Sequence, residues 1–201
     1  MLNQARQRGV TLFEVLITIL IMGLGLLGLA GLESRMMMVN SEAYQRSQAV
    51  ALLSDMAERL RVNQNNLNGT IDSGYIHGGT AWGTGNSGYT TTDCSTQAAG
   101  EARDVCEWNN ALLGAAETSG TSQVGAMIGA RGCITQVQAA DTTTNVCKPG
   151  IYGVTVSWQG LSPTATPSTT GWSACGATQY GSNDALRRSI SAQVVVPLNQ
   201  C

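Results

Sequence analysis

The N-terminal third of the chain carries one long apolar run followed by an amphipathic pattern. Residues 15–32 are 18 consecutive positions without a charged side chain, which is long enough for a helix that enters a bilayer. From Glu33 to Asn63, apolar or small residues recur at the spacing of a helix with one apolar face. These positions are Met36, Val39, Ala43, Val50, Leu53, Ala57 and Leu60. The pattern predicts one helix over residues 10–63, roughly 80 Å long at 1.5 Å per residue.

Period-two alternation predicts β-strands in the last third of the chain. Apolar residues alternate with Thr, Ser or Gln from Tyr152 to Trp158 and again over residues 190–196, so each segment is expected to be a half-buried strand. Residues 132–138 alternate less cleanly and predict a third strand. Residues 104–116 place apolar side chains on one face at helical spacing, which predicts a short helix lying on the sheet.

Polar, glycine-rich segments separate these elements. Residues 63–93 and 162–170 are rich in Asn, Gly, Ser, Thr or Pro, a composition that predicts loops. The expected fold class is therefore α+β. It consists of a long N-terminal α-helix, transmembrane and then amphipathic, packed on an antiparallel β-sheet head with disulfide-stapled loops.

All the cysteines lie beyond the predicted long helix. They are Cys94, Cys106, Cys133, Cys147, Cys175 and Cys201. Their even number and their placement favour disulfides formed in an oxidising compartment. A tetrahedral zinc site usually gathers ligands from close cysteine pairs, and the sequence has none, so neither a metal nor a cofactor is expected. Pairing of sequence neighbours, 94 with 106, 133 with 147 and 175 with 201, is one of many possible connectivities.

The distribution of charge indicates an orientation across a membrane. The formal net charge of −2 offers no broad basic surface for nucleic acid or anionic lipid. Arg6 and Arg8 precede the apolar run, and the positive-inside bias keeps them in the cytoplasm while everything after Leu32 crosses. Glu14 is the exception, because ordinary secretory signals carry no acid near the start of the apolar core.

The inventory of reactive side chains argues against an enzyme. His77 is the only histidine and Lys148 the only lysine, whereas nucleophilic or acid–base catalysis needs a reactive group beside a partner. Loop aromatics offer a binding alternative, since such rings can stack on sugars or bases. They are Trp82 and Trp172, with Tyr75, Tyr89 and Tyr180, and ordinary packing around disulfides explains them as well. Met36, Met37 and Met38 favour core or lipid contact over metal binding.

The run Arg8-Gly9-Val10-Thr11-Leu12-Phe13-Glu14-Val15-Leu16 resembles the class III signal of type IV prepilins and type II secretion pseudopilins. The resemblance implies that a membrane prepilin peptidase cuts between Gly9 and Val10 and N-methylates the new Val10 amine. It also implies that Glu14 acts in assembly by neutralising the amine of a neighbouring subunit. A carboxylate at a helix N-terminus is also favoured by the helix dipole, and both roles are compatible.

Residues 21–32 are similar to the Gly-Leu-Leu-Gly-Leu-Ala run of the PilV group of minor pilins. This resemblance implies a low-abundance pilus subunit that joins other minor pilins and the major pilin, helps to initiate pilus assembly, and sits near the tip with an adhesin as a possible partner. The expected location is the bacterial inner membrane with a periplasmic head, and then the extracellular pilus. A minor pseudopilin of type II secretion and a pilus-borne adhesion or DNA-binding module are the alternatives.

The resemblance and the patterns together divide the chain into four segments. Residues 1–9 are expected to be a cleaved leader, and residues 10–32 a transmembrane and filament-core helix. Residues 33–63 would continue that helix into the head, and residues 64–201 would form the globular pilin head.

Overall fold

The computed structural model describes residues 9–65, 70–71, 73–76, 81–85, 92–115, 118–120, 122–123, 125 and 127–198. The chain divides into two compact units, Met1–Ala43 and Tyr44–Cys201. Helix α1, Leu12–Val62, confirms the long predicted helix and contributes to both units.

The first unit contains the apolar part of α1. Its best 18-residue window has a mean hydropathy of 2.5, and none of that window is buried. By length and composition this segment is able to cross a membrane. Every described residue from Gly9 to Ser41 is exposed to solvent, so Met36 and Val39, which the pattern placed on the apolar face, are not buried by any described part of the chain.

Within the second unit, α1 buries the face formed by Gln45, Ala49, Leu53, Met56, Ala57 and Leu60. The expected spacing therefore becomes a buried face only from Gln45 onwards. Val50, which the pattern placed on that face, is exposed instead. The helical spacing was predicted correctly, but the apolar positions alone did not show at which residue other parts of the chain begin to bury the helix.

Helix α2 spans Glu101–Leu112 and so starts and ends earlier than predicted. Its end is set by Gly114, which has a φ of +78° and donates its backbone N–H to Ala111 O at 3.1 Å. Ala115 N donates to Asn110 O at 2.9 Å. These two bonds form a Schellman motif, whose left-handed residue favours glycine. The apolar residues after Gly114 extended the predicted helix too far.

The described residues also form eight strands and four short 3-10 helices. The strands are β1 (Gln64–Asn65), β2 (Thr70–Ile71), β3 (Trp82–Gly83), β4 (Thr118–Ser119), β5 (Ser122–Gln123), β6 (Arg131–Gln138), β7 (Gly150–Gln159) and β8 (Arg187–Val196). The main sheet is antiparallel in the order β3-β6-β7-β8, and β1-β2 and β4-β5 are separate pairs. The α+β fold with its antiparallel sheet is confirmed. Strand β3 was missed, because two residues are too few to show alternation.

The core lies on the sheet face where Tyr152, Val154 and Val156 meet the helices. Trp108 of α2 is fully buried there, and its Nε1 donates to Leu52 O of α1 at 2.9 Å. Gly132 of β6 is directly beneath this ring, since a Cβ at that position would overlap it. A residue with a side chain would separate α2 from the sheet.

The prediction that β7 is half-buried is wrong. Thr155 and Ser157, the polar positions of its alternation, are fully buried. Thr155 Oγ1 donates to Trp172 O at 3.0 Å, and Ser157 Oγ donates to Cys175 O at 2.9 Å. The segment that contains Trp172 and Cys175 therefore covers the face of β7 that points away from the helices. The hydroxyl groups of Thr155 and Ser157 satisfy the carbonyl groups of that segment. Small polar residues in alternation fit both an exposed face and a covered one.

The disulfides correct two of the three expected pairings. Cys94 is bridged to Cys106, as expected. Cys133, however, is bridged to Cys175 and not to Cys147, so the pairing of Cys175 with Cys201 is also wrong. The reason is the covering segment, which brings Cys175 back onto β6. Cys147 is also disulfide-bonded, and Cys201 lies outside the described residues.

Candidate functional site

The first candidate site is the start of α1. Gly9 and Val10 precede the helix in exposed, non-helical backbone, and the helix begins at Leu12. Glu14 N donates to Thr11 Oγ1 at 3.3 Å and to Thr11 O at 3.1 Å. Thr11 is thus the N-cap residue, and Glu14 is the third residue of the helix.

The spacing of Thr11 and Glu14 is that of a capping box, in which a Ser or Thr cap is followed three residues later by Glu or Gln. The sequence contained this signal, but the prediction used only Glu14. The cap holds Glu14 in the first turn, where the helix dipole favours a carboxylate. Its backbone is fixed by the helix, and the residue is exposed to solvent.

This arrangement leaves two groups open to other molecules. The Gly9–Val10 peptide bond lies in exposed backbone outside the helix, where a peptidase can reach it. The Glu14 carboxylate belongs to a helix whose neighbouring side chains are large, apolar and exposed, including Phe13 at 71%. A carboxylate in such a surface would need a positive partner if the surface were buried. Arg6 and Arg8 lie outside the described residues.

A second polar cluster joins α1 to α2 in the head. Arg59 Nη1 donates to Asp104 Oδ1 at 2.8 Å and to Glu107 Oε2 at 2.7 Å, and its Nε donates to Asp55 Oδ2 at 3.0 Å. Asp55 and Arg59 are four residues apart on α1, the spacing at which oppositely charged side chains meet on a helix. Burial alone would lower the pKa of the Arg59 guanidinium, but the hydrogen bonds to Glu107, Asp104 and Asp55 raise it above its usual value.

Asp104 is the centre of this cluster and is itself buried. Tyr75 Oη donates to Asp104 Oδ2 at 2.6 Å, and the Asn63 amide donates to the same oxygen. Burial, followed by the hydrogen bond to Asp104, raises the pKa of Tyr75. The carboxylate therefore accepts from three residues, two at the end of α1 and one in the segment 73–75, which fits a structural connection.

Most of the loop aromatics are core residues. Trp82, Tyr75 and Tyr180 are buried, and Tyr180 Oη donates to Gly129 O at 2.8 Å. Packing thus accounts for these three rings, which do not offer a face to a ligand. Trp172 is only partly buried and lies over Gly153 of β7, whose added Cβ would come within 2.9 Å of the ring.

Few reactive groups remain among the described residues. Within that part of the chain, no three His, Cys, Asp or Glu side chains are placed to hold a metal ion. The described cysteines are all in disulfides. His77 and Tyr89 lie outside the described residues.

Comparison with known families covers the first half of the chain. The model of the prokaryotic N-terminal methylation motif matches residues 4–30, which include Gly9, Val10 and Glu14. A second model, described as type IV pilin Tt1218, matches residues 31–110. The two matches support a type IV pilin.

The pilin matches fit the geometry at both candidate sites. The methylation motif coincides with the exposed start of α1, and its apolar helix fits membrane anchoring and pilus assembly. The second match contains the rest of α1 and most of α2, and therefore the Arg59 cluster. A type IV pilin implies processing by a prepilin peptidase and assembly with other pilins, and pilins are structural subunits. No curated protein and no solved structure matches the chain significantly.

Proposed function

We propose that the chain is a minor pilin, a structural subunit and not an enzyme, which is cut between Gly9 and Val10, N-methylated at Val10 and built into a type IV pilus through Glu14. The observation that carries the proposal is the capped, exposed Glu14 in the first turn of an exposed apolar helix. Glu14 is four residues from Val10, so a new amine and the carboxylate would share one end of the helix.

The physical argument concerns the burial of charge. A carboxylate in an apolar surface costs on the order of 2.5–3.5 kcal/mol at mid-bilayer and less at the interface. In a filament built from packed helices, the positive Val10 amine of a neighbour would offset that cost. An unmatched carboxylate would oppose incorporation, so the pair selects the axial register of the subunits.

The finer assignment rests on sequence resemblance. Residues 21–32 are similar to the PilV group, which supports a subunit of low abundance that assembles with other minor pilins, initiates the fibre and lies near its tip. The segment division at residues 9, 32 and 63 follows from the same proposal. The subunit would wait in the inner membrane with its head in the periplasm before it enters the pilus.

The test of the proposal replaces Glu14 by Gln in the chromosomal copy, with Glu58→Gln as the matched control on the same helix. Glu58 is an exposed acid paired with Arg61. Sheared fibres and membranes are then compared for the amount of subunit. We expect Glu14→Gln to lower the fibre fraction about tenfold, equivalent to about 1.4 kcal/mol, and Glu58→Gln to leave it unchanged. Equal incorporation of both variants would contradict the role of Glu14.

The cleavage site is tested on the same material by mass spectrometry of the N-terminal peptide. The expected mature chain begins with a singly methylated Val10. A mature chain that starts at any other residue would contradict the proposal at its first step.

The pseudopilin alternative is separated by phenotype. Deletion of the gene is expected to reduce surface fibres and twitching motility while leaving protein secretion intact. Loss of secretion with normal fibres would instead assign the chain to a type II secretion system.

The alternative function, a pilus-borne adhesion or DNA-binding module, is tested at Trp172. Of the two candidate contact residues, Trp82 is buried and Trp172 is partly exposed. If the pilus uses this ring for adhesion or DNA uptake, Trp172→Ala should abolish binding while fibre number stays normal. Trp172→Phe, which keeps an aromatic face, should retain it. Equal binding by both variants would leave Trp172 a packing residue.

A further inference from the structure

Strand β8 is at one end of the main sheet. The strand order is β3-β6-β7-β8, and no strand of the described residues pairs with the side of β8 that faces away from β7. Because β8 is ten residues long, this side carries a row of backbone N–H and C=O groups. Such a row is a template on which another strand can form hydrogen bonds.

Most of β8 lacks the features that usually protect an edge strand. Natural edges are protected by charged side chains, proline or bulges. Residues 189–196 contain no charge and no proline, and their pairing with β7 runs without a register shift. The charges of β8 are Arg187 and Arg188, which donate to Pro167 O and to Ser162 O at 2.8 and 2.7 Å. The loop between β7 and β8 therefore holds both charges at the start of the strand.

The face of β8 toward the helices is covered at one end of the strand and open at the other. Val194 and Val196 are fully buried, whereas Ile190 and Ala192 pack against the core but are only partly buried. Apolar side chains of a further strand, placed beside these two residues, would be removed from water together with them. An added strand is therefore expected to carry apolar residues on this face.

A hydroxyl group on the other face of β8 specifies a second feature of the added strand. Thr155 Oγ1 donates its proton to Trp172 O, so the donor in its 2.9 Å contact with Ser191 Oγ is Ser191. A hydroxyl group has one proton and two acceptor lone pairs, and none of the described residues donates to Ser191 Oγ. A Ser or Thr opposite Ser191 would donate to it and extend the row of hydroxyl groups by one strand.

We propose that the edge of β8 at residues 189–193 binds an extended segment of a partner protein as a fifth strand of the main sheet. The segment is uncharged and has a Ser or Thr between two apolar residues. The hydroxyl group is then opposite Ser191, and the apolar side chains are beside Ile190 and Ala192. Main-chain hydrogen bonds supply affinity and the alternate side chains supply specificity. The inference goes beyond the proposed function and uses only residues of the unit Tyr44–Cys201.

A second copy of the chain fits this edge less well than an uncharged segment does. Two antiparallel registers of paired β8 strands place a serine of the second copy opposite Ser191. Both registers bring Arg188 beside an apolar residue on the face toward the helices. That residue is Val194 in one register and Ala192 in the other. A charge between such side chains opposes their burial.

Binding of a synthetic peptide to the full-length chain in detergent micelles tests the site. The probe alternates valine with alanine, has threonine in place of the central alanine, and ends in a lysine tail for solubility. The control peptide differs only by N-methyl groups on its backbone amides, which removes the donors that a strand needs. With the probe, the amides of residues 189–193 that are not bonded to β7 should exchange with deuterium about tenfold more slowly. The control peptide should give no protection.

The hydroxyl pair is tested by removing each partner in turn. A second peptide has alanine in place of the threonine, and the protein variant is Ser191→Ala. Ser47→Ala is the matched control, because Ser47 is an exposed serine on α1. In the parent and in the control, threonine should strengthen peptide binding about fivefold, the contribution of one hydrogen bond. In Ser191→Ala the two peptides should bind equally, and unchanged protection of β7 without peptide shows that the variant is folded.

Three outcomes would overturn the inference. Equal protection by the probe and by the N-methylated control would exclude strand addition. Protection of β8 that rises with protein concentration in the absence of peptide would assign the edge to a second copy. An equal benefit from threonine in Ser191→Ala and in the parent would refute the hydroxyl pair. None of these measurements depends on entry into fibres, so each outcome leaves the proposed function as it stands.

Discussion

At the scale of single residues, Arg59 is the side chain whose contacts best explain how α1 is held to α2. It donates to Asp55 on its own helix and to Asp104 and Glu107 on α2. Asp104 also accepts from Tyr75, so the guanidinium balances a carboxylate that is largely removed from water. Loss of the cation would leave that carboxylate without its charge partner, which is costly in a buried site.

We expect Arg59→Ala to lower the free energy of unfolding by roughly 2 kcal/mol, less than for a fully buried pair because Arg59 is partly exposed. Arg61→Ala is the matched control, because the Arg61–Glu58 pair is exposed on the same helix. That control should cost about 0.5 kcal/mol or less. Chemical denaturation of the detergent-solubilised chain measures both. Equal losses would contradict the role given to Arg59.

The raised pKa of Tyr75 predicts a loss of stability in alkali. Above about pH 10 the unfolded chain releases the phenolic proton while the folded chain keeps it, so stability is full below that pH and falls as pH rises. Tyr75→Phe should therefore show a shallower alkaline decline, and should cost about 1–2 kcal/mol at neutral pH because Asp104 loses a donor.

Tyr44→Phe is the control for this experiment, because Tyr44 is exposed and should change neither quantity. Burial also raises the pKa of Tyr180, so some alkaline decline should persist in Tyr75→Phe. An unchanged alkaline slope in that variant would show that Tyr75 does not contribute.

Two sheet glycines make a comparison of overpacking. A methyl group at Gly132 would overlap the fully buried Trp108, whereas one at Gly153 would press on the partly exposed Trp172. We expect Gly132→Ala to cost about 2–3 kcal/mol and Gly153→Ala about 1 kcal/mol, because only Trp172 can shift toward solvent. Thermal unfolding of the two variants measures the difference. The reverse order would contradict this packing.

At the scale of elements, the segment between β7 and β8 is held onto the sheet by Arg187. This side chain is fully buried and donates to Pro167 O at 2.8 Å and Ser168 O at 2.9 Å. Its Nε lies 3.3 Å from Asp184 Oδ2. The first residue of β8 therefore fixes the path of the loop, and the Cys133–Cys175 bridge fixes it again from β6.

The two described disulfides should differ in their effect on stability. Cys133 and Cys175 are 42 residues apart, and Cys94 and Cys106 are 12 apart. In the chain-entropy account the longer loop contributes about 4 kcal/mol and the shorter about 3 kcal/mol. Paired Cys→Ala variants, compared by denaturation, should show the larger loss for the Cys133–Cys175 pair. A larger loss for the shorter loop would contradict this order.

The elements that the sequence predicted are those in which the apolar pattern repeats over many residues. Helix α1 and strands β6 to β8 repeat their pattern over enough residues to be recognised, and Leu12–Val62 closely matches its prediction. Strand β3 has two residues, and Cys175 reaches Cys133 through a loop whose path depends on Arg187 contacts. Such features are set by tertiary contacts between distant residues, which local patterns do not report.

The candidate site shows the same division. Gly9, Val10 and Glu14 form a local motif, so sequence alone indicated them, and Thr11 was available through its spacing. The burial of Trp82 and Tyr75, in contrast, depends on how loops close over the sheet. Nothing in their glycine-rich surroundings separates a core ring from an exposed one.

At the scale of the whole molecule, the chain contains two units with different requirements. The unit Met1–Ala43 exposes its apolar helix and has no core of its own among the described residues. The unit Tyr44–Cys201 has a continuous core and disulfides. The apolar surface of the first unit is therefore removed from water only in a membrane or among other helices, whereas the second unit is stabilised by its own core and disulfides.

The covering of β7 on both faces has a consequence for the order in which the head opens. Its amides are bonded to strands on either side and shielded above and below, so they should be the last to take up deuterium, at the free energy of global unfolding. Backbone at the margins of the sheet should label first. In a pilin head of this kind, the outer elements would unfold at a lower free energy than β7, and they would refold onto β7 while that strand stays in place.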